Sequence, residues 1–201
     1  MTDPIDMVDR LAEALLYACD APELLETHGL PVPTPDRCRR ALRGYVARHQ
    51  EFPATRNVFE PLSMLLGIDR IRTERARFAF AEHGELGEIA VIQPVTATGE
   101  PGDREPIDLV AWHPDRPGRW WMLSGTAEHL GPWPASGDAR LAEHPLAWLA
   151  DPDRLCLLTF SRGMLTRLLD LHHITITDRV FGQRLYSELR DLALPKFEIA
   201  P

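Results

Sequence analysis

The sequence predicts an α+β protein, on three observations. Apolar residues recur at three- and four-residue spacing through the N-terminal part; after Gly84 the period changes to two or to continuous apolar runs; and turn-rich linkers join those runs. The expected organisation is a helical N-terminal part, 1–84, and an α/β part, 85–201, within one continuous globular unit. A chain of 201 residues with 44% hydrophobic content is long enough to bury a substantial core.

The elements follow in order. From Thr2, Ile5, Val8, Leu11, Ala12, Leu15, Leu16 and Cys19 place one apolar stripe on a helix. A short helix from Asp20 to His28 stops at Gly29, and LPVPTP (Leu30 to Pro35) is too rich in proline to continue it. Asp36 caps a helix through about Gln50, and further helices are expected from Asn57 to Leu66 and from Asp69 to Glu82. Strands are predicted at Glu88 to Val95, Ile107 to His113 and Arg119 to Ser124, joined as an antiparallel meander by TATGEPGDRE and PDRPG. The prediction continues with a helix from Asp138 to Ala150, a buried strand from Leu155 to Phe160, a helix from Ser161 to His172, a short strand from Ile174 to Thr177, and a helix capped by Asp178.

Composition narrows the function classes. A net charge of −8 argues against a surface coated with nucleic-acid-binding charge, while leaving room for a local basic face. The first residues carry three aspartates instead of a positive leader, and no apolar run approaches membrane-spanning length, so a cytoplasmic location is expected. Cys19, Cys38 and Cys156 are scattered, without zinc-ligand spacing, and read as reduced and packed. Twenty-one arginines stand against the single Lys196, in a chain rich in alanine and proline, as GC-rich codons of a bacterium or its phage would produce.

The segment REPIDLVAWHPDRPGRWWMLSGT resembles the PD-(D/E)xK nuclease superfamily, over roughly Asp69 to Phe160. That resemblance implies a restriction-endonuclease-like core: a helix, a three-strand meander, a helix and a fourth strand. It also implies an acidic metal ligand opening the second strand, where Asp108 stands. The glutamate and lysine of the third strand are replaced by Leu123 and Gly125. In that family two carboxylates hold the magnesium ion that activates water, and one holds it poorly, so a nuclease here would call for a migrated ligand such as Glu88, Glu105 or Glu128. Otherwise Asp108 is a strand-end carboxylate bonded to nearby backbone. The run DLVAWHPDRPGRWWMLSGTAEHLG followed by HPLAWL is also similar to short uncharacterised proteins of alphaproteobacterial prophages and mobile elements, which implies a phage-linked setting and no activity.

Two other constellations bear on function. All five tryptophans fall between Trp112 and Trp148; strand alternation puts one of Trp120 and Trp121 inward and the other outward, as core or as a stacking surface for a small ligand. Arginines concentrate between Arg37 and Arg77, with Arg37, Arg40, Arg72, Arg75 and Arg77 forming either a phosphate-contacting face or a solvated one. His113, His172 and His173 lack metal-site spacing, and no serine-hydrolase, dinucleotide or P-loop motif occurs. The leading expectation is a non-catalytic interaction or nucleic-acid-associated protein of a phage or mobile element, with no cofactor and no membrane partner. The alternatives are a magnesium-dependent phosphodiesterase around Asp108, and a small-ligand binder using the tryptophans.

Overall fold

The computed structural model describes residues 4–40, 64–82, 84–96 and 106–193. These form two compact units, 1–127 and 128–201, whereas the sequence pattern suggests a division at Gly84.

The first unit is a closed five-stranded barrel with a helix packed on it. Helix α1 (Pro4–Asp20) and the short α2 (Glu23–Thr27) are followed by helical residues 35–40; then come β1 (Gly67–Glu74), β2 (Arg77–Phe80), β3 (Glu88–Thr96), β4 (Pro106–Trp112) and β5 (Trp120–Met122). Around the barrel the order is β1-β2-β5-β4-β3, with β3 returning to β1. Every pairing is antiparallel except β2 with β5. The predicted meander is present as β3-β4-β5, and closure on β1 and β2 removes the exposed edges that an open meander would carry.

One expectation from the pattern is corrected here. Residues 69–82 form the β1–β2 hairpin and not a helix. Arginine, glutamate and alanine favoured a helix, but Ile68, Ile71, Thr73, Phe78 and Phe80 are residues that fit a pleated surface, and Ile71 and Phe78 are buried in the barrel. The helix proposed from Asn57 to Leu66 lies almost wholly outside the described residues, as does the second half of the one starting at Asp36.

On one face of the barrel wall, Ile71, Phe78, Ala90, Ile92, Leu109, Ala111 and Trp121 meet Met7, Leu11, Ala14 and Leu15 from α1. Alternation along β3 and β4 sends Val91, Gln93, Val95, Asp108, Val110 and Trp112 to the opposite face, and these are buried as well. Burial on both faces explains why EIAVIQPV and IDLVAW read as continuous apolar runs. The buried amide of Gln93 is satisfied there by Trp112, whose Nε1 donates to Gln93 Oε1 over 3.1 Å. Gly67 marks a close approach of α1: a Cβ at that position would stand 2.8 Å from Ala14 Cβ.

The second unit is a mixed α/β sheet of order β6-β8-β7-β9, built from β6 (His129–Leu130), β7 (Asp138–Ala142), β8 (Leu155–Leu157) and β9 (His173–Ile176). The last three are parallel and β6 is antiparallel. Helices α3 (Pro145–Ala150), α4 (Arg162–Leu169) and α5 (Arg179–Ala193) complete it, with Leu141, Leu155, Leu157, Met164, Leu168, Phe181 and Leu185 in its core.

The single helix expected from Asp138 to Ala150 is strand β7 followed by α3. Leu141, Ala142, Leu146 and Leu149 imitate helical spacing, but Pro145 lacks an amide hydrogen and is accommodated only at a helix start. The nuclease resemblance implied a helix at 69–82 and a fourth strand beside the meander. The first is the hairpin, and residues 155–157 pair with β6 and β7 in a sheet that contains none of the meander strands. Among the described residues no helix is long and apolar enough to cross a membrane.

Candidate nucleic-acid interface

The β1–β2 hairpin gathers the arginines. Ladder pairs Ile71↔Phe80 and Thr73↔Phe78 share one face of the hairpin, where Ile71 and Phe78 are buried and Thr73 is exposed; the alternate positions, Arg72↔Ala79 and Glu74↔Arg77, are all exposed and form its outward side. Arg70 shares that outward side of β1, and Arg70, Arg72, Arg75 and Arg77 are all exposed. Arg72 and Arg77 line one surface recess together with Thr73, Glu74, Phe78 and Ala79. Arg72 also pairs with Glu85 at 3.2 Å, an exposed contact that water and salt screen.

The tip of the hairpin is the two-residue link Arg75-Ala76, and Arg75 holds a left-handed φ of 53°. A side chain in this region of backbone space costs about 1–2 kcal/mol relative to glycine, the residue such tight hairpins favour. Among the described non-glycine residues Arg75 alone has positive φ. Arg77 lies against Gly125, which itself has φ 66°; a Cβ there would stand 2.4 Å from Arg77 Cζ, so the absent side chain is what lets the guanidinium settle on the 124–126 turn. Arg37 and Arg40 fall on the separate helical stretch 35–40, where Arg40 is exposed and its Nε donates to Asp36 O over 3.3 Å.

Asp108 is fully buried, and both of its oxygens accept main-chain amides. Oδ1 takes Leu109 N at 2.8 Å and Ser124 N at 2.9 Å, while Oδ2 takes Thr126 N at 2.9 Å and Ala127 N at 3.2 Å. Thr126 Oγ1 donates to Ile107 O over 2.8 Å, completing a knot that ties the turn after β5 to the start of β4. This is the backbone-bonded role rather than that of an open metal ligand. Glu88 sits at the other end of β3 and is ion-paired with Arg116. Since Val95 is the β3 residue opposite Asp108, Glu88 lies seven residues away along the strand, roughly 23 Å at about 3.3 Å per residue. The two cannot share an ion. Leu123 packs against the barrel core, and Glu105 lies outside the described residues.

The tryptophans are dispersed. Trp112 and Trp121 are buried in the barrel unit and Trp148 in the α/β unit; Trp120 and Trp133 are half-buried, and Arg167 covers the Trp133 ring at 3.9 Å. Trp121 therefore has no free face for a ligand. Trp120 is the outward member of its pair.

A feature of the α/β unit was not singled out from the sequence. Leu141 and Ile176 are paired, so Glu143 and Asp178, each two residues further on, end neighbouring parallel strands. β8 and β9 flank β7 on opposite sides; right-handed crossovers then put α3 and α4 on opposite faces, and the chain leaves β7 and β9 in diverging directions. His144 Nδ1 accepts Ala147 N at 3.0 Å as the N-cap of α3, and Asp178 Oδ1 accepts Phe181 N at 2.6 Å at the start of α5. Burial lowers the pKa of His144, opposed by the charges of Glu143 and Asp178. Glu143 Oε2 is a buried oxygen without a hydrogen-bond partner among the described residues. At the start of α4, the Ser161 hydroxyl donates to Glu128 over 2.6 Å. Only the three capping residues hinted at this edge in the sequence. Among the described residues no group of three or more His, Cys, Asp or Glu is placed to hold a metal ion.

No family model, curated protein or solved structure matches this chain.

Proposed function

We propose that the protein is a non-catalytic, nucleic-acid-associated protein of a phage or mobile element, and that its barrel unit contacts the phosphate backbone through the β1–β2 hairpin. The observation that carries this reading is the hairpin tip: an arginine occupies a left-handed position that glycine would fill without strain, flanked by outward Arg72 and Arg77. A strained residue kept in a tight turn points to use of its side chain. A local basic ribbon within a chain of net charge −8 would bind weakly and with strong dependence on salt. The experiment is fluorescence anisotropy of labelled single- and double-stranded oligonucleotides between 50 and 200 mM salt, chosen because counterion release is steep across about that range. Affinity that falls with salt, without cleavage, supports the reading; absent or salt-independent binding refutes it.

A second reading rests on Glu143 and Asp178 at the diverging ends of β7 and β9, the place where open α/β sheets accept ligands. A magnesium ion commonly uses only one or two protein carboxylates and completes its shell with water and phosphate. The metal-dependent phosphodiesterase alternative would have its seat here and not at Asp108. Calorimetric titration with magnesium and manganese, comparing wild type with Glu143→Gln and Asp178→Asn, tests it: binding heat that disappears in both variants supports a site, and no heat in wild type removes it. The nuclease-like ancestry suggested by the segment around Asp108 remains a proposal of descent and implies no activity for that residue.

A further inference from the structure

Cys19 and Cys38 are separated by 19 positions in the chain, yet their Sγ atoms are 3.9 Å apart. Cys19 lies in the last turn of α1, Cys38 lies in the helical stretch 35–40, and the proline-rich connector between them folds the chain back. Cys19 Sγ also reaches Pro33 O at 3.4 Å, which holds it at this junction. Both are free thiols; Cys19 is partly exposed and Cys38 is buried.

We propose that Cys19 and Cys38 are a modification site: an oxidisable dithiol that closes to an intramolecular disulfide when the protein meets a peroxide. A disulfide places its sulfurs about 2.05 Å apart, so the pair must close by roughly 1.9 Å. The chemistry needs no group beyond the two thiols and the oxidant. Cys19 Sγ, on the more exposed of the two residues, attacks a peroxide oxygen and becomes a sulfenic acid as the first water leaves. Cys38 Sγ then displaces the hydroxyl from Cys19, the S–S bond forms, and the Cys38 proton departs with that hydroxyl as a second water. Two electrons pass from the thiols to the peroxide.

The asymmetry between the sulfurs fits these roles. Burial, with the neighbouring Cys19 adding to it, pushes the Cys38 thiol up to about 12, so it stays protonated until a partner is presented to it. Cys156 supplies an internal control, being wholly buried on β8 with a thiol pushed upward by burial. The bond would fasten the end of α1, the helix that covers the barrel, to the chain beyond the connector.

The test treats the full-length protein with hydrogen peroxide and follows intact mass, thiols titratable in denaturant, and the cysteine-containing peptides. Wild type is expected to lose two hydrogen masses, to fall from three titratable thiols to one, to yield one linked peptide joining Cys19 and Cys38, and to recover three thiols with dithiothreitol. Cys19→Ser, at the more exposed partner, is expected to keep both remaining thiols, and Cys156→Ala to form the same link as wild type. Three surviving thiols in wild type, a link that includes Cys156, or Cys19 carried to sulfinic acid without a link would each overturn the proposal.

Discussion

Asp108 shows how one residue can carry a suggestion of chemistry and a structural duty at once. Four main-chain amides converge on its two oxygens, at 2.8 to 3.2 Å, and three of them come from residues sixteen to nineteen positions later. Asp108→Asn would set a side-chain NH2 donor against two of those amides. It is expected to cost roughly 2–4 kcal/mol, since buried donors left without an acceptor lose their full desolvation energy. Urea denaturation should show this. The aspartate was visible in the sequence because an acid opens an otherwise apolar strand; its partners were not, because Ser124, Thr126 and Ala127 contribute through backbone amides, which carry no residue signature.

His144 makes a second case at this scale. It caps α3 through Nδ1, which must be unprotonated to accept a hydrogen bond, and burial lowers its pKa from the ordinary value of 6.5. The folded state therefore binds fewer protons than the unfolded state below pH 6.5, so the stability this residue contributes is complete above that pH and declines as pH falls through the window. His129, also lowered by burial, acts in the same direction. Replacing His144 with Asn keeps a capping oxygen and removes the titration. Thermal unfolding from pH 7 to 5 is expected to be less acid-sensitive in His144→Asn than in wild type; identical pH profiles would contradict this role for the cap.

At the scale of elements, the β1–β2 hairpin is where helix and strand signals competed most closely. RIRTERARFAF mixes good helix formers with an RFAF alternation, and tertiary closure against β3 and β5 decides for the strand. Glycine or asparagine at the tip would have announced a tight turn; arginine concealed it. Two substitutions separate the structural part of the hairpin from its proposed function. Arg75→Gly relieves the left-handed strain and is expected to raise stability by about 0.5–1 kcal/mol while making the salt dependence of binding shallower by about one phosphate. Gly125→Ala, at φ 66° and against the Arg77 guanidinium, is expected to cost about 1–2 kcal/mol and to displace Arg77. Denaturant midpoints measured beside anisotropy titrations distinguish the two outcomes. The other strands and helices were more legible. β3 and β4 announced themselves through β-branched apolar runs, and α4 and α5 through Ser161 and Asp178 at their starts.

For the whole molecule, class was readable and connectivity was not. The alternation of periods identified an α+β chain and a three-strand meander. Barrel closure depends on β1 pairing with β3 and β2 running parallel to β5, pairings between segments that no local pattern links. The division after Ala127 was hidden for the same reason, since the first two strands belong with the meander and not with the helices before them. Charge, too, is organised by the fold: arginines that were scattered over 70–77 become one outward ribbon only once the strands pair. Binding of the nucleic-acid backbone by this ribbon is tested by the slope of log affinity against log salt, measured for wild type and for the Arg72→Gln/Arg75→Gln/Arg77→Gln variant on one oligonucleotide. Weaker binding and a slope shallower by about 2–3 are expected in the variant, because each arginine replaced leaves about one phosphate fewer neutralised. Equal slopes and equal affinities would contradict a phosphate-binding role for the hairpin.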